Sequence, residues 1–100
     1  MKYILDEEDV VQGSTGMDYT DKICVIRTDF FKPEYRNAKS QLFKATGGFG
    51  CKPENLGTKI FGTFLDDGEE AMVRRHNVLG IATDECIEKW KATYGKNGGK

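Results

Sequence analysis

The chain reads TKIFGTFLDDGEEAMVRRH over residues 58–76, and this stretch decides the fold. Two runs of strand-forming residues, 58–65 and 70–76, flank Asp66-Asp67-Gly68-Glu69. An Asp-Gly pair between apolar runs predicts a hairpin, because glycine adopts a positive φ at no steric cost. Gly62 within the first run indicates a bulge or a tight bend. The core residues expected from this hairpin are Ile60, Phe64, Met72 and Val73.

Other stretches with strand-like patterns surround the hairpin. Residues 22–27 carry apolar side chains on both faces, from Ile23 to Ile26, which predicts an interior strand. Residues 40–46 alternate, with Phe43 and Ala45 on one face and Leu42 on the other. Residues 2–5 and 77–82 are shorter candidates. These patterns predict four or five short strands.

One helix is expected near the C-terminus. Thr83 is a suitable N-cap, and Asp84 and Glu85 follow in the first turn, where the helix dipole favours acids. The side chains that share its apolar face are Cys86, Ile87, Trp90 and Tyr94. We therefore predict an α+β fold, mainly β: a small antiparallel sheet or partly open barrel with one C-terminal helix. Residues 1–95 form a single domain, and 96–100 a flexible tail.

Composition favours an ordered domain inside the cell. Of the 100 residues, 38% are hydrophobic and 31% charged, and the net charge is −1, which argues against disorder. No run approaches the about 18 apolar residues that a membrane span needs. Four acids at positions 6–9 interrupt any signal-like stretch, so we expect no secretion. Three widely spaced cysteines form no CxxC pair, which favours reduced thiols in a cytoplasm.

The charge is unevenly distributed along the chain. Residues 1–21 hold one Lys and six acids, whereas residues 22–59 hold eight basic residues and three acids. The basic middle segment is suited to a phosphate or an acidic protein surface. The favoured interpretation is that it packs against the acidic N-terminal segment of the same fold.

Catalysis finds little support in the sequence. Cys51 ends Gly47-Gly48-Phe49-Gly50-Cys51, and with the single histidine, His76, it is the simplest nucleophile and base. Nothing in the sequence brings the two together, and a glycine-rich turn followed by an ordinary thiol explains the motif. The glycines lack the Lys-Ser/Thr ending of a phosphate loop, and the cysteines lack zinc spacing. We expect no catalytic residues, no cofactor and no metal.

Aromatic residues in loop-like segments indicate protein binding instead. Aromatic side chains beside arginine are enriched at the centres of protein interfaces. The candidate binding residues are Phe30, Phe31, Tyr35, Arg36, Phe49, Lys52, Arg74 and Arg75. The leading hypothesis is a noncatalytic module that engages a protein partner, and a homodimer is compatible with it. In the alternative reading, these rings plug the ends of a small barrel.

Nucleic-acid binding is the second hypothesis. Small barrels bind single strands through basic grooves and stacked rings. The residues that indicate such a groove are Arg36, Lys39, Lys44, Lys52 and Lys59, interleaved with Tyr35, Phe43 and Phe49, and Arg74 and Arg75 on the following strand. The acidic isoelectric point of about 5.8 and the core pattern of Phe43 argue against it.

Several segments together resemble a family of small, uncharacterised bacterial proteins. They are DFFKPEY at 29–35, SQL at 40–42, ATGGFGC at 45–51, DGE at 67–69 and LGI at 79–81. Sequences of this kind resemble those carried by Gram-positive bacteria, often in prophages or other mobile elements. The resemblance implies a bacterial cytoplasm and a host or defence protein as partner, and it brings no catalytic residues.

Overall fold

Residues 4–28 and 38–95 are described by the computed structural model, in which an open five-stranded antiparallel sheet is followed by one helix. This confirms the predicted fold class. The strands follow the order β4-β3-β2-β1-β5 across the sheet. Their bounds are Ile23–Ile26 (β1), Leu42–Gly47 (β2), Lys59–Phe64 (β3), Glu70–Arg74 (β4) and Val78–Ile81 (β5), and helix α1 is Asp84–Trp90. A π-helical turn, Lys91–Gly95, extends α1.

The hairpin forms where the Asp-Gly pair predicts it. β3 and β4 pair from Lys59↔Arg74 to Thr63↔Glu70, and Gly68 in the connection has a φ of 73°. The interior position of β1 is also confirmed, since β2 and β5 flank it. The short strand expected at 2–5 is wrong for Ile4 and Leu5, which are not in a strand. Its first two residues lie outside the described ranges.

Each face of the sheet is covered by a different part of the chain. On the first, here called the loop face, residues from β1, β2, β3 and β4 pack against Tyr19 and Cys51. On the second, the helix face, Val25 and Leu42 pack against Cys86 and Trp90 of α1. Thr83 caps α1 as expected, because its hydroxyl accepts a hydrogen bond from the Cys86 amide at 3.0 Å.

The predicted core contribution of Met72 is wrong. Its side chain is 40% exposed, whereas that of Val73 is 3% exposed and packs on the loop face. Successive side chains in a strand point to opposite faces, so Met72 and Val73 cannot both enter one core. Met72 lies on the helix face, but the cluster around α1 draws its strand residues from β5, β1 and β2. The helix α1 therefore does not cover the helix face of β3 and β4.

A buried glutamine holds the N-terminal segment to the sheet. Gln41 is completely buried, and its Oε1 accepts a hydrogen bond from the Leu5 amide at 2.7 Å. Its Nε2 donates to the carbonyls of Leu5 and Ile26. The side chain thus replaces the strand pairing that residues 4 and 5 lack, and it directs the chain toward β5.

Gly62 lets β2 approach β3 closely. The register shifts between Ala45 and Gly47 opposite this residue, which places a bulge on β2 rather than on β3. A Cβ at position 62 would collide with the backbone carbonyl of Lys44 and approach the Phe43 ring. The bend expected from the sequence is therefore a close approach of two backbones.

We expect Gly62→Ala to lower the free energy of unfolding by about 1–3 kcal/mol, because the carbonyl of Lys44 cannot move without opening the β2–β3 pairing. The matched control is Gly47→Ala, also in the sheet, where an added Cβ meets no atom within 4 Å. Urea unfolding of both variants checks this. Equal stability of the two variants would contradict the close approach.

Candidate functional site

Four of the eight predicted binding residues lie within the described part of the chain. The other four, which lie outside it, are Phe30, Phe31, Tyr35 and Arg36. The structure brings Phe49 and Arg74 to the same cleft. It places Lys52 and Arg75 in contacts within the fold.

Phe49 is exposed because of the turn that carries it. It opens a 3-10 turn, Phe49–Cys51, directly after β2, and the following Cys51 side chain is buried in the loop-face core. Gly48 brings the turn against the backbone of Lys59, with no room for a Cβ. The Phe49 carbonyl accepts a hydrogen bond from the Asn55 side chain at 3.2 Å. The turn is thereby fixed with the Phe49 ring 73% exposed.

Phe49 belongs to a mixed surface that we call the apolar–cationic surface. Part of it is a cleft of about 330 Å³ whose walls include Phe49, Leu56, Phe61 and two cations. Phe61 is 50% exposed, and on the sheet it stands directly opposite Met72. The residues of the apolar–cationic surface are Phe49, Leu56, Phe61, Met72, Lys59 and Arg74.

Large apolar side chains gathered at a surface are a signal of binding. Single exposed hydrophobic residues are ordinary, but a contiguous group rimmed by charges marks an interaction site. Lys59 and Arg74 face each other across β3 and β4 and border the Phe61–Met72 pair. The arrangement fits an apolar partner group flanked by acidic side chains.

Lys52 is held by an ion pair within the fold. Its Nζ lies 2.6 Å from Oδ2 of Asp18. The hydrogen bond from Lys52, with those from Thr20, holds the pKa of Asp18 well below its usual range. The same contact raises the pKa of Lys52. Lys52 therefore connects the segment after the 3-10 turn to the N-terminal segment.

Arg75 is structural, although the sequence places it in a binding site beside Arg74. Its Nη1 donates hydrogen bonds to the carbonyls of Gly50 and Cys51, at 2.7 and 2.9 Å. Its Nη2 donates to the carbonyls of Thr15 and Met17, at the same two distances. The guanidinium also lies 4.3 Å from the centre of the Tyr19 ring. These contacts leave Arg74 as the exposed arginine of the pair.

Both thiols of the loop-face core, Cys24 and the candidate nucleophile Cys51, are buried. Burial raises the pKa of Cys51, and it raises the pKa of Cys24 to about 12. A nucleophilic cysteine needs the opposite shift, since the thiolate is the reactive form. His76 is exposed and lines a separate cleft with Arg27. The geometry gives the Cys51 enzyme hypothesis no support.

Metal chemistry has no visible site in the described ranges. Within residues 4–28 and 38–95, no three His, Cys, Asp or Glu side chains gather where they could hold a metal ion. The helices in the same ranges are too short or too polar to span a bilayer.

Sequence reasoning missed three members of the apolar–cationic surface. Leu56 lies in a loop without a periodic pattern, and Met72 was assigned to the core. Phe61 alternates with the core residues Ile60 and Gly62, so its face was readable from the strand period. What the sequence does not show is that α1 stops short of this part of the sheet.

Comparisons with known protein families, with curated proteins and with solved structures find no match for this chain. The resemblance to small bacterial proteins stays a prediction. The site is therefore interpreted from its own geometry.

We expect Arg75→Ala to destabilise the fold by about 3 kcal/mol or more, because hydrogen bonds to a charged group contribute about 1.5–3 kcal/mol each and four carbonyls lose a charged donor. Arg27→Ala is the control, since Arg27 is exposed and lies in the same cleft as Arg75. We expect it to change the stability by less than about 0.5 kcal/mol. Thermal unfolding checks both. A small loss of stability in Arg75→Ala would refute the structural role of this side chain.

We expect the fold to lose stability in alkali, because the Cys24 thiol is buried. The pKa of Cys24 is higher in the folded chain than its ordinary value of 9.0. The contribution of the neutral Cys24 thiol to the free energy of unfolding is therefore complete below pH 9. It falls as the pH rises toward 12, by about 1.4 kcal/mol per pH unit at most. Urea titrations at several pH values should show a shallower alkaline decline for Cys24→Ala than for the wild type. Identical slopes would contradict the assignment.

Proposed function

We propose that this protein is a noncatalytic binding module that engages a protein partner through the apolar–cationic surface. The observation that carries the proposal is an exposed apolar group: Phe61 and Met72 lie on the part of the sheet that α1 leaves open, and Phe49 and Leu56 adjoin Phe61 from a turn and a loop. Aromatic residues, methionine and arginine are the types that interface centres favour.

The charges support a partner that carries acidic groups. Lys59 and Arg74 border the apolar residues, and no carboxylate pairs with either of them in the described part of the chain. An apolar side chain placed between acidic residues would fill the cleft and neutralise both cations. The resemblance to proteins of mobile elements supports a host or defence protein as this partner. This part of the proposal rests on the resemblance alone.

Single-stranded nucleic acid is the second candidate. Lys44 and Lys59 lie on the same face of the sheet as Phe61, an arrangement that suits stacking of bases between cations. Glu70 on that face and the acidic isoelectric point of about 5.8 count against it. Phe43, which the sequence pattern also offered for stacking, is completely buried. Protein binding is therefore favoured.

The test is affinity capture from a bacterial lysate with a double variant, Phe49→Ser with Leu56→Ser. We expect the amount of captured partner to fall at least about tenfold, because truncating an interface anchor weakens binding by about 2 kcal/mol or more. The matched control is Val11→Ser with Met17→Ser, which removes two exposed apolar side chains elsewhere. Mass spectrometry quantifies the captured protein.

Two results would contradict this site. Equal capture by the double variant and the wild type would remove the surface from the interaction. A large drop in the melting temperature would mean that Phe49 and Leu56 support the fold. Capture that disappears after nuclease treatment, or that falls steeply with salt, would favour the nucleic-acid alternative.

A further inference from the structure

The two edges of the sheet, β5 and β4, differ in whether another segment pairs with them. At β5, the Val11 amide donates to the Ile81 carbonyl at 2.7 Å, and the Thr83 amide donates to the Asp9 carbonyl at 3.0 Å. Val10 forms a β-bridge with Ala82, so the N-terminal segment covers this edge. β4 is the other edge, and in the described ranges no strand pairs with its outer side.

The hydrogen-bonding pattern shows which groups of β4 point outward. The Phe64 amide donates to the Glu69 carbonyl, and the Arg75 amide donates to the Thr58 carbonyl. In an antiparallel ladder the bonded residues alternate, so residues 69, 71, 73 and 75 bond inward to β3. Glu70, Met72 and Arg74 therefore direct both their amide and their carbonyl away from the sheet. An exposed row of this kind is a template for another strand.

The outward residues of β4 are complementary to themselves. Reading along the strand, an acid, an apolar residue and a base follow at equal spacing: Glu70, Met72 and Arg74. If a second β4 lies antiparallel with Met72 at the centre, each Glu70 stands opposite the partner's Arg74. Opposite charges placed directly across two strands stabilise the pairing.

In the monomer, Arg74 stands in an unfavourable electrostatic arrangement. Lys59 and Arg74 stand directly opposite on β3 and β4, and like charges in that position are destabilising. The only side-chain hydrogen bond from Arg74 in the described part of the chain goes to the Thr58 hydroxyl at 3.3 Å. A carboxylate beyond β4 would relieve this repulsion.

We propose that two copies of this chain pair through β4 as an antiparallel, two-fold symmetric dimer with one continuous sheet. Both backbone groups of Glu70, Met72 and Arg74 enter the new ladder. On the helix face, Met72 packs against the partner's Met72, which joins the two Phe61 rings into one apolar row. Glu70 and the partner's Arg74 form an ion pair on each side of the axis.

The dimer does not depend on the proposed partner. Phe49 and Leu56 lie outside β4, so the double variant that tests partner binding should dimerise like the wild type. Failure of one proposal is thereby distinguishable from failure of the other.

Sedimentation equilibrium of the purified chain, over about 10 µM to 1 mM, tests the pairing by charge reversal. Arg74→Glu places two carboxylates opposite each other on both sides of the axis, and we expect dimerisation to weaken at least about tenfold. Adding Glu70→Arg restores opposite charges in the same register and should restore the dimer. A wild-type chain that is monomeric throughout, or a double variant that stays as weak as the single one, would overturn the proposal.

Two further variants separate pairing from folding. Met72→Pro removes an amide that points outward and no bond to β3, so the chain should stay folded and become monomeric. Met72→Cys should cross-link two copies under mild oxidation, because residues paired directly across strands have Cα atoms about 5.5 Å apart. Thr63→Cys, remote from the axis, is the control. A dimer that survives Met72→Pro, or equal cross-linking at position 63, would place the interface elsewhere.

Discussion

The hydrogen bonds of the Arg75 guanidinium are the interaction on which the loop face depends. Three separate stretches of chain meet at this group: the N-terminal turn, the 3-10 turn after β2 and the end of β4. Four carbonyls accept hydrogen bonds from its two terminal nitrogens, and the Tyr19 ring lies against it. The planar guanidinium suits this role because its donors are fixed in a fork. The same contacts hold the turn that exposes Phe49.

Helix size explains why α1 covers only part of the helix face. Neighbouring strands lie about 4.8 Å apart, whereas a helix with its side chains is about 10 Å wide. One short helix, Asp84–Trp90, therefore covers about two or three strands of a five-strand sheet. It packs over β5, β1 and β2, where Trp90 also donates a hydrogen bond to the Lys39 carbonyl. The strand residues of the apolar–cationic surface, on β3 and β4, lie beyond the reach of α1.

Local patterns predicted the elements, but they did not predict which surface each element presents. The hairpin follows from Asp67-Gly68, and the helix start follows from Thr83, because both signals act within a few residues. The internal contacts of Arg75 and the exposure of Met72 were missed for the opposite reason. The partners of Arg75 lie up to 60 residues away in sequence. The exposure of Met72 depends on the reach of a helix that begins twelve positions later. A local sequence pattern contains neither the partners of Arg75 nor the reach of α1.

Pairing through β4 would also change how the surface binds. A two-fold axis perpendicular to the sheet keeps both helix faces on the same side, so two apolar–cationic surfaces would lie next to each other. A partner that presents two matching segments would then bind the second one intramolecularly, which raises its apparent affinity without any new contact. The Glu70 carboxylates would neutralise part of the charge near Arg74, whereas Lys59 would keep its cation beside the cleft. The apolar residues would then supply most of the affinity, and the remaining cations would orient the partner.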